Sequence, residues 1–200
     1  MTKSLYFIPM AGLDNAYEDE RLKLIGQIVT DWNLCESVMQ VLSWQLCGLD
    51  RELGECITTD LGNVSLLTLC RNTLNRLHSG ESYFHLLTEI FTLFDECRQA
   101  RNASAHFVIS ADQTTFVAFS LTMKSGRGSL TVRRAPISNE ELELYASAIA
   151  YLLECLAEAM HILNDEPIPW RDKRLLPVYI ELLKQLRAER RGQDLPFEAS

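Results

Sequence analysis

Six consecutive residues, Arg101-Asn102-Ala103-Ser104-Ala105-His106, bring together side chains suited to act on a phosphate. Arginine is permanently cationic and presents a fork of N–H donors that matches phosphoryl oxygens. Histidine gains and loses a proton near neutrality, so it can serve as acid or base. On a helix, Asn102 lies four residues before His106 and shares its face, where the amide can orient the imidazole. The small residues at 103–105 leave room for a ligand or for the close approach of a second helix. Arg98, one turn ahead of Arg101, and Ser104 join the set as candidate substrate contacts. The same residues also have a local reading. Arg and His suit the negative end of a helix dipole, and Asn commonly ends helices.

Other residues invite similar tests. Arg71-Asn72 and His78 repeat the Arg, Asn and His types with a longer spacing, on a segment that reads as a surface helix ending at Ser79-Gly80. Glu36, set in an apolar helical stripe, is a candidate partner for Arg98 or Arg101 and so a supporting residue. Asp95, three residues before Arg98, can form a local ion pair. His85 and His161 have no neighbouring ligand residues. The six cysteines (Cys35, Cys47, Cys56, Cys70, Cys97 and Cys155) never form C-x-x-C and sit mostly in apolar helical patterns, which favours small buried thiols over disulfides or zinc. No nucleophile elbow and no phosphate-binding glycine loop is present. Nothing in the spacing calls for a metal or a cofactor.

These residues need a scaffold, and the pattern is mainly α-helical. Ile25, Ile28, Trp32, Cys35, Met39 and Leu42 recur at helical spacing, predicting a helix over about 21–47 with Gly48 as its stop. A short helix over 51–60 follows, then one over 64–77 capped by Asn63. The next, over 82–106, is apolar on two seams, as befits a central helix that ends on the candidate site. Residues 115–122 and 129–133, separated by the turn at 124–128, read as one β-hairpin, which is marginal alone and is expected to lie on the helices. Ser138 and Glu141 form a capping-box pair opening a long helix to about Leu163. Pro167 and Pro169 interrupt, and a basic helix over about 177–190 closes the chain before a frayed tail from Gly192. The organisation is therefore an extension over 1–20, a helical domain over 21–164, and a basic helix with tail over 165–200.

Composition narrows the class. At 47 % hydrophobic and 23 % charged, 200 residues make an ordinary globular domain with a real core. No uninterrupted apolar run approaches the ~18 residues of a membrane span. The first twenty residues turn acidic where a secretion signal would be apolar, so a cytoplasmic protein without a membrane partner is expected. A net charge of −8 argues against coating double-stranded DNA. Residues 171–191 carry seven Lys/Arg against three Asp/Glu, leaving −12 for the rest, so a local basic strip is available to an anion.

The spacing Arg101 to His106, with a polar residue directly after the Arg, resembles the R-x4-6-H motif of the HEPN superfamily. The surroundings are similar as well. A long opening helix carries Trp32, Leu34, Cys35 and Glu36, a glycine-containing break follows, and the motif closes a later long helix. The resemblance spans about residues 20–164. It implies an all-α, HEPN-like bundle, here with one inserted β-hairpin, acting as a homodimer whose two motifs share a cleft. It further implies a metal-independent endoribonuclease of toxin, defence or RNA-processing type, with an antitoxin or other protein as possible partner. Arg101 would bind the scissile phosphate, His106 would move the proton of the ribose 2′-hydroxyl, and Asn102 would support the site, with no cofactor. Phe107 departs from the small residue common after the His, and Arg71 to His78 also satisfies the motif. The family includes members that bind or scaffold without cutting, so the alternative is a non-catalytic helical dimer that binds a nucleotide or a protein.

Overall fold

Residues 15–105, 107–112, 115–123, 130–134, 137–164 and 174–192 are described in the computed structural model. They form, in chain order, α1 (Asn15–Cys47), α2 (Arg51–Thr58), α3 (Asn63–Leu77), α4 (Phe84–Ala105), β1 (Phe107–Asp112), β2 (Thr115–Met123), β3 (Leu130–Arg134), α5 (Asn139–Leu163) and α6 (Leu175–Gly192). The protein is mainly α-helical. Helix α1 opens at Asn15, ahead of the expected boundary at Arg21. His106, residues 1–14, the expected turn at 124–128, Pro167, Pro169 and the tail from 193 lie outside the described residues.

Long-range ties fix the direction of each helix. Arg21 donates through Nη1 to the Ile137 carbonyl at 2.9 Å, the Cys35 thiol donates to the Ile149 carbonyl at 3.6 Å, and Gln45 Nε2 donates to Asn164 Oδ1 at 3.2 Å. Helix α5 therefore runs alongside α1 in the same direction. Helix α4 runs the opposite way. Tyr83, just ahead of it, meets His78 at the end of α1, whereas Phe94 stacks on Trp32 with ring centroids 4.8 Å apart. Helix α6 follows α4, with Tyr179 against Tyr151 of α5 and Arg187 at Glu96 and Gln99 of α4. The last turns of α4 and α6 thus share one end of the bundle with the first turns of α1 and α5.

The core sits among these helices. From α1 it takes Ile28, Trp32, Cys35, Met39, Leu42 and Leu46, and from α4 Leu87, Ile90, Phe91, Leu93, Phe94 and Cys97. Two faces of α4 are covered, as its doubled seam predicts. Helix α5 buries Leu142, Tyr145, Ile149, Leu152 and Leu156 against α1 and α4. By length and average composition α5 also meets the test for a membrane-crossing helix, although no uninterrupted apolar run of that length exists; in this fold its inner stripe is core. Leu176, Ile180 and Leu183 of α6 belong to the same core.

Local signals explain the ends. Helix α1 stops at Gly48, whose φ of 64° lies in the left-handed region that glycine enters without strain. Leu49 N–H reaches the Trp44 carbonyl at 2.9 Å and Gly48 N–H the Gln45 carbonyl at 3.1 Å, which satisfies two terminal carbonyls. Asp50 caps α2 by accepting from Leu53 N–H at 2.8 Å, and Ser138 with Glu141 closes the capping box of α5. Asn63 does not cap α3 as expected; it is the first helical residue, Gly62 takes the cap position in an extended conformation with no side-chain bond, and the Asn63 amide nitrogen donates to Glu36.

Trp44 seats α2. Its indole donates to Thr58 Oγ1 at 2.9 Å, Thr58 donates on to the Gly54 carbonyl at 2.8 Å, and the ring lies against the bare backbone of Gly54. A methyl at Gly54 would overlap that ring. Gly54→Ala is expected to cost about 1–3 kcal/mol despite its better helix propensity, because a rigid indole must move. A urea-unfolding midpoint equal to or above wild type would refute this.

Between α4 and α5 the strands form an antiparallel sheet in the order β1-β2-β3, with Phe107 opposite Ser120 and Phe119 opposite Arg134. The sheet has one strand more than the sequence reading allowed. Phe107-Val108-Ile109, beyond the expected helix end, is β-branched and aromatic in type and pairs with β2. Phe107 thereby opens a strand rather than extending the helix. Among the described residues, the extensive contacts of the strands are with one another, not with the helices on which the hairpin was expected to lie.

Candidate functional site

The candidate site lies where α4 gives way to β1. Arg101, Asn102, Ala103 and Ser104 occupy its last turns, and His106 falls between Ala105, the final residue of α4, and Phe107, the first of β1. Arg101 and Asn102 are both half-buried. Arg101 Nη1 donates to Asn102 Oδ1 at 3.3 Å, so the amide oxygen turns toward the guanidinium. Arg101 Nε is buried with no hydrogen-bond partner.

That lack of commitment sets Arg101 apart. Of the other half-buried arginines, Arg21 holds the Ile137 carbonyl and Arg71 the Phe91 carbonyl at 3.2 Å. Arg98 holds Asp95 through Nε and Nη2 at 3.0 and 2.8 Å, and Arg187 holds Glu96 and Gln99. Among the described residues, Arg101 is given only a long bond to a neutral amide. A half-buried cation without an opposite charge forgoes hydration and gains little in return, so an arriving anion is favoured there.

The remaining members of the predicted set are placed differently. Ser104 is buried and its hydroxyl donates to the Ala100 carbonyl at 2.9 Å, which turns it into the core. Arg98 is engaged by Asp95, as the three-residue spacing allows. Glu36 meets neither Arg98 nor Arg101. It accepts from the Trp32 indole and from the Asn63 amide, both through Oε1, and so ties α1 to the start of α3. Its role is structural support of the bundle.

The competing Arg71 and His78 pair is consumed by the fold. Arg71 ties α3 to α4 through the Phe91 carbonyl. His78 terminates α3, with Nε2 donating to the Leu46 carbonyl at 2.9 Å and Nδ1 2.9 Å from the Tyr83 hydroxyl. An Nε2–H imidazole, accepting the Tyr83 proton at Nδ1, satisfies both contacts. The surface-helix expectation missed these tertiary ties, which no local pattern announces.

A polar network missed by sequence reasoning flanks the site. Gln99 Nε2 donates to Asp95 Oδ2 at 3.4 Å, while its oxygen accepts from Arg187 Nη1 at 2.6 Å. Arg187 Nη2 stands 3.1 Å from Glu96, which is 6 % exposed. The signal was the charge of residues 171–191, but the partner could not be read from it.

The buried thiols carry no nucleophilic chemistry. Burial pushes Cys35 and Cys70 up to about 12 and Cys155 to about 11, and lifts Cys97 well above the ordinary range. Each is held as the unreactive thiol at neutral pH. Among the described residues, no cluster of His, Cys, Asp or Glu is arranged to hold a metal. A shallow groove of about 460 Å³, lined by Val41, Trp44, Leu49 and the Arg51–Glu55 pair, lies at the far end of α1 from Arg101.

No family model, no curated protein and no solved structure matches the chain.

Proposed function

We propose that the chain is a HEPN-like, metal-independent endoribonuclease of toxin, defence or RNA-processing type. In this reading it is a helical bundle with an inserted β unit, works in the cytoplasm as a homodimer, and takes RNA as substrate, with an antitoxin or other protein as regulator. The observation that carries it is the half-buried Arg101, which among the described residues has no opposite charge to hold and precedes His106 by five residues in the sequence. Arg101 binds the non-bridging oxygens of the scissile phosphate and stabilises the charge that builds there. His106 takes the proton of the 2′-hydroxyl as its oxygen bonds to phosphorus. The bond from phosphorus to the 5′-oxygen breaks, and that oxygen leaves with a proton. The products are a 2′,3′-cyclic phosphate and a 5′-hydroxyl. Asn102, already turned to Arg101, holds the cation in place.

The test is incubation of mixed cellular RNA with the full chain in EDTA, with mapping of the new ends. Wild type is expected to leave 2′,3′-cyclic phosphates, and His106→Ala to leave the RNA intact while keeping its fold. An inactive wild type at high concentration would overturn the reading. One observation favours a second role. Ser104 and Arg98 are both committed within the protein, so fewer groups face a substrate than the sequence promised. A non-catalytic helical dimer that binds a nucleotide or protein through Arg101 would fit that smaller set.

A further inference from the structure

Helix α6 reaches α4 with a polar grip as well as an apolar one. Its core residues Leu176, Ile180 and Leu183 lie toward its start, and Arg187 stands one turn beyond them, at the end nearest the candidate site. There Arg187 serves two α4 side chains at once, the carboxylate of Glu96 and the amide oxygen of Gln99. Glu96 is nearly fully buried, where a carboxylate depends on a nearby cation far more than at a surface. Gln99 passes the grip on, because its NH2 group meets Asp95, which in turn holds Arg98. The linked side chains cover residues 95–99 of α4, and Arg101 and Asn102 follow directly.

We propose that Arg187 is a positioning residue. The clamp it forms with Glu96 and Gln99 fixes the last turns of α4 and so holds Arg101 in place. Helix α6 then becomes a point of control over the site, since anything that draws Arg187 away loosens the turns that carry Arg101. The catalytic consequence rests on the ribonuclease reading; the clamp itself does not.

The experiment compares full-chain wild type, Arg187→Ala and Arg187→Lys by amide hydrogen exchange and by RNA cleavage in EDTA. In Arg187→Ala the amides of 96–105 are expected to exchange about tenfold faster or more, while the core amides of α1 and α5 keep their wild-type rates. Lysine preserves the charge opposite Glu96 but not the double contact, so it restores part of the protection. The cleavage kcat falls and recovers in the same order. Unchanged exchange over 96–105 in Arg187→Ala would overturn the clamp, as would an acceleration spread equally over α1 and α5. Should wild type cut no RNA, the ribonuclease reading fails, and the exchange comparison still decides the clamp.

Discussion

If the chain is the proposed ribonuclease, Arg101→Ala is expected to lower metal-free RNA cleavage by about 100-fold or more, the loss associated with removing one donor aimed at developing charge. Thermal stability should barely change. Among the described residues the guanidinium leaves behind no partner carboxylate, and its one bond is a long contact to Asn102. Arg101→Lys keeps the charge without the fork and is expected to fall between the two. The opposite pattern is expected at the competing pair. Arg71→Ala removes a bond to the Phe91 carbonyl and costs stability, about 1 kcal/mol, while cleavage per folded molecule stays at the wild-type level. Steady-state cleavage and thermal melts on the same four proteins separate these effects. An Arg101→Ala protein that cuts as well as wild type, beside an inactive but folded Arg71→Ala, would transfer the site to α3.

Trp32→Ala is expected to cost about 3–5 kcal/mol, the range for deleting a large buried aromatic ring. Trp32 is fully buried, stacks on Phe94 and donates its indole N–H to Glu36. The change therefore opens a cavity between α1 and α4 and strips a half-buried carboxylate of a donor. At roughly 2–4 °C per kcal/mol for a chain of this size, the melting temperature falls by about 10 °C. Trp32→Phe keeps most of the packing and loses only the donor, so it should lie well above the alanine variant. Melting curves would contradict this account if Trp32→Ala came within about 1 kcal/mol of wild type.

Much of the helical frame was legible because its signals are local. The stripe of Ile28, Trp32, Cys35 and Met39 has helical spacing and is buried as expected. The Ser138 and Glu141 capping box and the Gly48 stop appear where short-range chemistry places them. What failed to show was tertiary choice. Asn63 suits a cap by residue type, yet a carboxylate from α1 lies closer to its use. Glu36 has the right chemistry for an arginine, but α1 and α4 run in opposite directions and the nearest donors are Trp32 and Asn63. Phe107 departs from the small residue of the motif, while its β-branched neighbours Val108 and Ile109 pair with β2. At the site itself, the types of Arg101 and Asn102 could be read from the sequence. That Arg101, among the described half-buried arginines, has no strong described partner depends on where Asp95, Glu96, Phe91 and Ile137 fall in space.

Helix α1 is covered chiefly by α5, and the bonds that align them join residues 114 to 119 positions apart. That pairing sets a schedule for synthesis. The chain emerges from its N-terminus, so the stripe carrying Trp32, Cys35 and Met39 is made long before its cover exists. At translation rates of about 5–20 residues per second, α1 waits on the order of ten seconds for the residues that shield it. Helices α3 and α4 arrive first and take two of its sides, but the last side stays open until α5 leaves the ribosome. A transcript cut short before residue 139 would release a bundle with an uncovered apolar seam. Such a product is a substrate for chaperones and proteases rather than a smaller version of the protein.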